Sequence, residues 1–126
     1  MSKTRINTDQ APAAIGPYSQ GIVTGNLLFS SGQLPIDPKT GKLSEGSIEE
    51  QAHIALGNLK AIAEEAGSNL DKAIKVTVFL ADIASFQAVN GVYAEYFTEP
   101  FPARSAFQVA ALPLGAALEI EAIFEV

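Results

Sequence analysis

Apolar and polar positions along the chain switch between a period of two and a period of 3.6 several times. Val23 and Leu28 flank Thr24-Gly25-Asn26-Leu27, and a glycine–asparagine pair between apolar runs predicts antiparallel strands over about residues 19–24 and 27–32. Pro35, Asp37, Pro38 and Gly41 then mark a loop. Ser47, with Glu50 three residues on, forms a capping box ahead of Ala52, Ala55, Leu56, Leu59, Ile62, Ala63 and Ala66. Gly67 ends that pattern, so the spacing predicts a helix over about residues 48–66. Ile74, Val76, Val78 and Leu80 alternate with Lys75, Thr77 and Phe79, which predicts a strand. Asp82 or Ser85 caps a second helix with Phe86, Val89, Tyr93 and Phe97 inward, and Pro100 and Pro102 end it.

Two alternating runs close the chain. In the first, Arg104, Ala106, Gln108 and Ala110 share one face, with Ser105, Phe107 and Val109 opposite. In the second, Leu118, Ile120, Ala122, Phe124 and Val126 oppose Glu119, Glu121, Ile123 and Glu125. The order β-β-α-β-α-β-β predicts an α+β sandwich, one mixed sheet with two helices on one face.

Composition narrows the chemistry. The 126 residues are one domain's worth, so residues 1–126 are expected to share a single core. Eight basic against fourteen acidic residues give a net charge of −6, which disfavours nucleic acid as the main ligand. Cysteine is absent, which excludes a disulfide scaffold, a thiol nucleophile and a thiolate metal site. A single histidine, His53, does not make the usual multi-histidine zinc centre. The basic opening Met1-Ser2-Lys3-Thr4-Arg5 runs into Asn7-Thr8-Asp9-Gln10 where a signal peptide needs apolar residues, and no run reaches membrane-spanning length. A cytoplasmic chain with no membrane or nucleic-acid partner is the expectation. No glycine-rich phosphate loop, Gly-x-Ser-x-Gly or His-Glu-x-x-His is present.

A few polar residues stand where packing does not ask for them. Arg104 opens a strand beside Ala106, Gln108 and Ala110. It is either an edge arginine that is solvated or pairs with a glutamate, or a fork for a small carboxylate, with small neighbours that leave room for a ligand. Glu119 lies opposite an apolar face, either on a wet outer surface or, given Ile123 beside it, in a subunit interface with a polar pocket. Were 104–110 and 118–126 a hairpin about position 114, the two residues would lie roughly 16 Å apart along the ladder. A shared site would then need one residue from each of two subunits. His53 reads as a half-exposed structural histidine, Asn90 as a helix-flank amide for a backbone carbonyl, and Tyr18 as a packing residue in the Gly16-Pro17-Tyr18 turn. Gly32, after Ser30-Ser31, is either a turn glycine or a point of close backbone approach.

Longer stretches carry a resemblance. Ala11-Pro12-Ala13-Ala14-Ile15-Gly16-Pro17-Tyr18-Ser19-Gln20, Ser30-Ser31-Gly32-Gln33, Val76-Thr77-Val78-Phe79-Leu80, Pro102-Ala103-Arg104-Ser105 and Leu118-Glu119-Ile120-Glu121-Ala122 stand in the order and spacing of one family. Over essentially its whole length the chain resembles the RidA (YjgF) family, the reactive intermediate or enamine/imine deaminases. The resemblance implies a chorismate-mutase-like homotrimer with clefts between subunits. Arg104 matches the arginine that holds the substrate carboxylate, and Glu119 the glutamate that positions the attacking water. Tyr18, Ser31, Gly32 and Asn90 match other cleft positions. Ala106 stands where many members carry cysteine, which leaves its backbone to meet a ligand.

The implied reaction is hydrolysis of imines formed from 2-aminoacrylate and 2-aminocrotonate, giving a 2-oxo acid and ammonia. It calls for neither metal nor cofactor, because an iminium is already electrophilic at C2. One arginine and one carboxylate are sufficient in kind. A small-ligand sensor, a chaperone-like trimer and a ribonuclease or translation inhibitor are the alternative readings.

Overall fold

The computed structural model describes residues 2–126, and Met1 of the basic opening lies outside them. Strands β1 (Thr4–Ile6), β2 (Gly21–Thr24), β3 (Leu27–Ser30), β4 (Ala73–Leu80), β5 (Ala103–Gln108) and β6 (Leu118–Glu125) form one sheet in the order β1-β2-β3-β6-β4-β5. Helices α1 (Ile48–Glu65) and α2 (Phe86–Tyr96) pack on one face. The sheet is mixed, since β4 and β5 run parallel while the other pairs are antiparallel. The α+β arrangement is the expected one with a strand added at the edge. β1 is three mostly exposed residues, too short and polar to show a period of its own.

Local chemistry explains the elements. The Ser47 hydroxyl accepts from the Glu50 amide at 3.1 Å while the Glu50 carboxylate reaches back to the Ser47 amide, so α1 begins on the expected box. Asp82 caps only a short 3₁₀ turn over residues 83–85, and α2 follows without a side-chain cap. Leu28, Leu56, Leu59, Val76, Val78, Leu80, Leu118, Ile120 and Phe124 are fully or almost fully buried between helices and sheet. Ala52, Ala55 and Ala63 let α1 approach closely. Ile74 departs from the expected alternation. The β4–β6 register shifts between Ala73 and Lys75, and this bulge leaves Ile74 46% exposed.

The closing strands do not form a hairpin. β6 is inserted between β3 and β4, whereas β5 joins the far edge parallel to β4 after the α2 crossover. Clean alternation lets β6 sit centrally, buried on its helix side. β5, with Arg104 and Gln108 on that side, suits an edge. Glu119 therefore aligns with Phe79 and not Val109, and Arg104 aligns with Val76. No helix among the described residues is long and apolar enough to cross a membrane.

Candidate active site

Two buried amides fix the loops around Glu119. Gln20 donates through Nε2 to the carbonyls of Thr8 and Pro12 at 3.0 and 2.8 Å, and its Oε1 accepts from the Thr8 amide at 2.7 Å. Asn58 on α1 donates to the carbonyls of Leu34 and Ile36. Ser31 is tied down twice, its amide donating to Gln20 O at 2.9 Å and its hydroxyl to Ser19 O at 2.5 Å. Gln33 and Ile120 exchange backbone hydrogen bonds at 2.7 and 3.0 Å. This bridge lays residues 31–33 along the start of β6 and brings Gly32 against the Glu119 side chain.

That contact explains the glycine. A methyl group at Gly32 would lie 2.7 Å from Glu119 Cδ and 2.8 Å from Oε2. The sequence left open whether a ligand or only a turn needed Gly32, and the group that approaches it is the Glu119 carboxylate. Burial pushes the Glu119 carboxyl above the ordinary carboxylate value, and the negative charge of Glu121 pushes it the same way. Gly32→Ala is expected to drive the carboxylate outward and return its titration toward the ordinary value, read by carboxyl-carbon NMR. An unmoved titration would show that the surroundings of Glu119 do not depend on this contact. Nearby, Ile15, Tyr18, Gly32, Leu34, Ile36 and Leu114 contribute to the lining of a cavity of about 450 Å³. Tyr18 is exposed, and its hydroxyl accepts weakly from the Ile15 amide at 3.4 Å.

Arg104 belongs to a second group. Its Nη1 donates to Asn90 Oδ1 at 2.6 Å, so Asn90 serves a guanidinium and not the backbone carbonyl expected of a helix-flank amide. The guanidinium carbon lies 4.7 Å from the Tyr93 ring centre and 5.2 Å from that of Phe86. Sequence reasoning took both rings for core. Their spacing from Asn90 along α2 was the available signal. Asn90, Tyr93, Ala94, Phe101, Pro102 and Arg104 line a cavity of about 350 Å³. Ala106 is half-buried on the same strand. The Val109 amide donates to Leu80 O, so by alternation the amides of Arg104, Ala106 and Gln108 point away from β4 at the free edge.

One protomer cannot join the two groups. Arg104 aligns with Val76 and Glu119 with Phe79, positions of opposite parity on β4. Arg104 therefore stands on the helix side of the sheet and Glu119 on the uncovered side. Tyr18, Ser31, Gly32 and Glu119 gather near one end of β6, and Asn90, Arg104 and Ala106 gather at the β5 edge. His53 belongs to neither group. It is exposed between the helices, its Nδ1 2.8 Å from the Tyr96 hydroxyl.

A family model described as endoribonuclease L-PSP matches residues 8–126. A 2-iminobutanoate/2-iminopropanoate deaminase of Capra hircus is 52% identical, over 94% of this chain and 86% of its own. A putative endoribonuclease of Thermotoga maritima superposes with a TM-score of 0.95 at 52% identity, over 98% of this chain and 97% of that one. E. coli TdcF with bound serine superposes with a TM-score of 0.92 at 42% identity, over 98% of each chain.

Proposed function

The chain belongs to the endoribonuclease L-PSP family, which is also the RidA (YjgF) family of enamine/imine deaminases, and on that premise we propose that it is a 2-iminobutanoate/2-iminopropanoate deaminase working in clefts between the subunits of a homotrimer. One observation carries the reading. An arginine with no carboxylate partner among the described residues and a desolvated glutamate stand on opposite faces of one sheet. Each is half of a site that a second copy of the chain completes. In the related TdcF the bound serine has a carboxylate and a nitrogen on neighbouring carbons, as a 2-imino acid does.

The chemistry follows from these groups. Arg104 grips the substrate carboxylate and orients C2. Glu119 of the adjoining subunit takes a proton from water as the oxygen adds to C2 and passes it to the imine nitrogen, which gives the carbinolamine. Glu119 then takes the carbinolamine hydroxyl proton and hands it to the amine nitrogen as the C–N bond breaks. Ammonia and a 2-oxo acid result, so imine and water are fully accounted for. A carboxyl pushed above its ordinary value is a better proton acceptor once ionised. Asn90 acts through Arg104, while Tyr18, Ser31, Gly32 and the Ala106 backbone line the cleft.

The uncovered sheet face supports the assembly. Phe29, Phe79, Phe107 and Ile123 lie on it among Lys75, Thr77, Glu119 and Glu121, the mixture an interface with a polar pocket requires. Light scattering under assay conditions is expected to give a trimer, and a monomer that is fully active would overturn the shared site. For the reaction, a pyridoxal-phosphate dehydratase generates the enamine from serine or threonine. Adding this protein is expected to speed the appearance of 2-oxo acid, and an unchanged rate would refute the deaminase reading. RNA as substrate is disfavoured by the net charge of −6.

A further inference from the structure

Phe86, Asn90 and Tyr93 stand at i, i+4 and i+7 of α2, one face of the helix, and all three meet the same guanidinium. Two meet it with rings and one with an amide oxygen. No carboxylate pairs with Arg104 among the described residues, although the chain carries fourteen acidic residues.

We infer that Phe86 and Tyr93 are positioning residues for the arginine that takes the substrate carboxylate, an aromatic cradle that holds the cation without neutralising it. This inference rests on the carboxylate-holding role proposed above for Arg104. A glutamate in place of the rings would hold the guanidinium as firmly, but it would compete with the incoming carboxylate for the same N–H groups. Ring faces attract the cation through their quadrupoles and occupy none of its donors. Asn90 accepts from one N–H, which leaves four of five for a ligand. The cradle also restricts a side chain that is otherwise exposed and rich in rotamers, and binding then orders less.

Tyr93 shows that the ring is the working part. The residue is only 5% exposed, and its hydroxyl is buried with no hydrogen-bond partner among the described residues. Its ring stacks on Phe97 with centroids 4.4 Å apart, which fixes it beneath the arginine. Burial raises the Tyr93 phenol above its ordinary pKa, and the positive charge of Arg104 offsets part of that rise.

The test measures binding of 2-oxobutanoate by calorimetry and steady-state kinetics with 2-iminobutanoate, on intact oligomer whose melting temperature and size are recorded for every variant. Phe86→Leu and Tyr93→Leu are expected to raise KM and the 2-oxobutanoate Kd about five-fold or more while kcat changes less than two-fold. Tyr93→Phe, which keeps the ring, is expected to recover the KM that Tyr93→Leu loses. A merely structural role would lower kcat and melting temperature together and leave KM in place. If the two leucine variants bind 2-oxobutanoate as the parent does while Arg104→Ala does not, the cradle is refuted and the anchoring arginine stands. If Arg104→Ala itself binds 2-oxobutanoate normally, the carboxylate-holding role fails, and the cradle with it.

Discussion

Replacing Arg104 with alanine is expected to remove the acceleration of 2-iminobutanoate hydrolysis, with kcat/KM falling on the order of 10²-fold or more, as for loss of a charge-assisted, bidentate carboxylate grip. Arg104→Lys should recover only part of it. Lysine supplies the charge as a point, without the planar fork that matches two carboxylate oxygens, and it fits less well between the rings of Phe86 and Tyr93. The oligomer should survive both changes, because Arg104 is exposed at the sheet edge and fills no part of the core. A steady-state assay beside a size measurement decides the matter. Full activity in Arg104→Ala would place the carboxylate anchor elsewhere.

The second large effect separates water activation from binding. Glu119→Gln keeps the size of the side chain and removes the base, so turnover should fall about 10²-fold or more. The 2-oxo acid should still bind through Arg104, more tightly once a desolvated negative charge has gone. The same substitution should raise the melting temperature at neutral pH. The folded-state pKa of Glu119 is raised, so its ionised form is penalised in the fold relative to the unfolded chain. That penalty is in full force above the folded pKa and is relieved as pH falls through it, and glutamine removes it. In the parent protein, kcat/KM should decline with falling pH at a value above that of an ordinary carboxylate. Glu125→Gln, on the same strand face but at the exposed far end of β6, serves as the control and should be silent. Near-normal turnover in Glu119→Gln would defeat the base while leaving the arginine's role intact.

Helix α1 was legible in the sequence because its signals are local. The capping box, the apolar stripe and the terminating Gly67 all lie within about twenty residues. The faces of β6 were equally legible from strict alternation. Strand partners were not. The short link from Gln108 to Leu118 reads as a hairpin connection, yet β4 lies between the strands it joins. Pairing across the sheet is settled by α2, whose crossover delivers β5 parallel to β4, and by the central position open to β6. The separation of Arg104 from Glu119 was therefore anticipated for a different reason than the true one, distance along a ladder and not opposite sides of a sheet. Of the candidate residues, Gly32 and Glu119 meet in space, and so do Asn90 and Arg104. Phe86 and Tyr93 read only as core because an aromatic at helical spacing looks the same in sequence whether it packs on leucine or under a cation.

The placement of Arg104 and Glu119 on opposite sides of one sheet also has a genetic consequence. If the shared cleft proposed above forms in a closed ring, each copy would lend its arginine to one neighbour and its glutamate to the other, and no cleft would belong to a single chain. A copy defective in one of these residues spoils the cleft on one side and still serves the cleft on the other. Two alleles, one lacking the arginine and one lacking the glutamate, can therefore complement each other in the same cell, with about a quarter of the clefts in randomly mixed rings carrying both intact groups. On that arrangement a mutation's severity would depend on which allele supplies its neighbours.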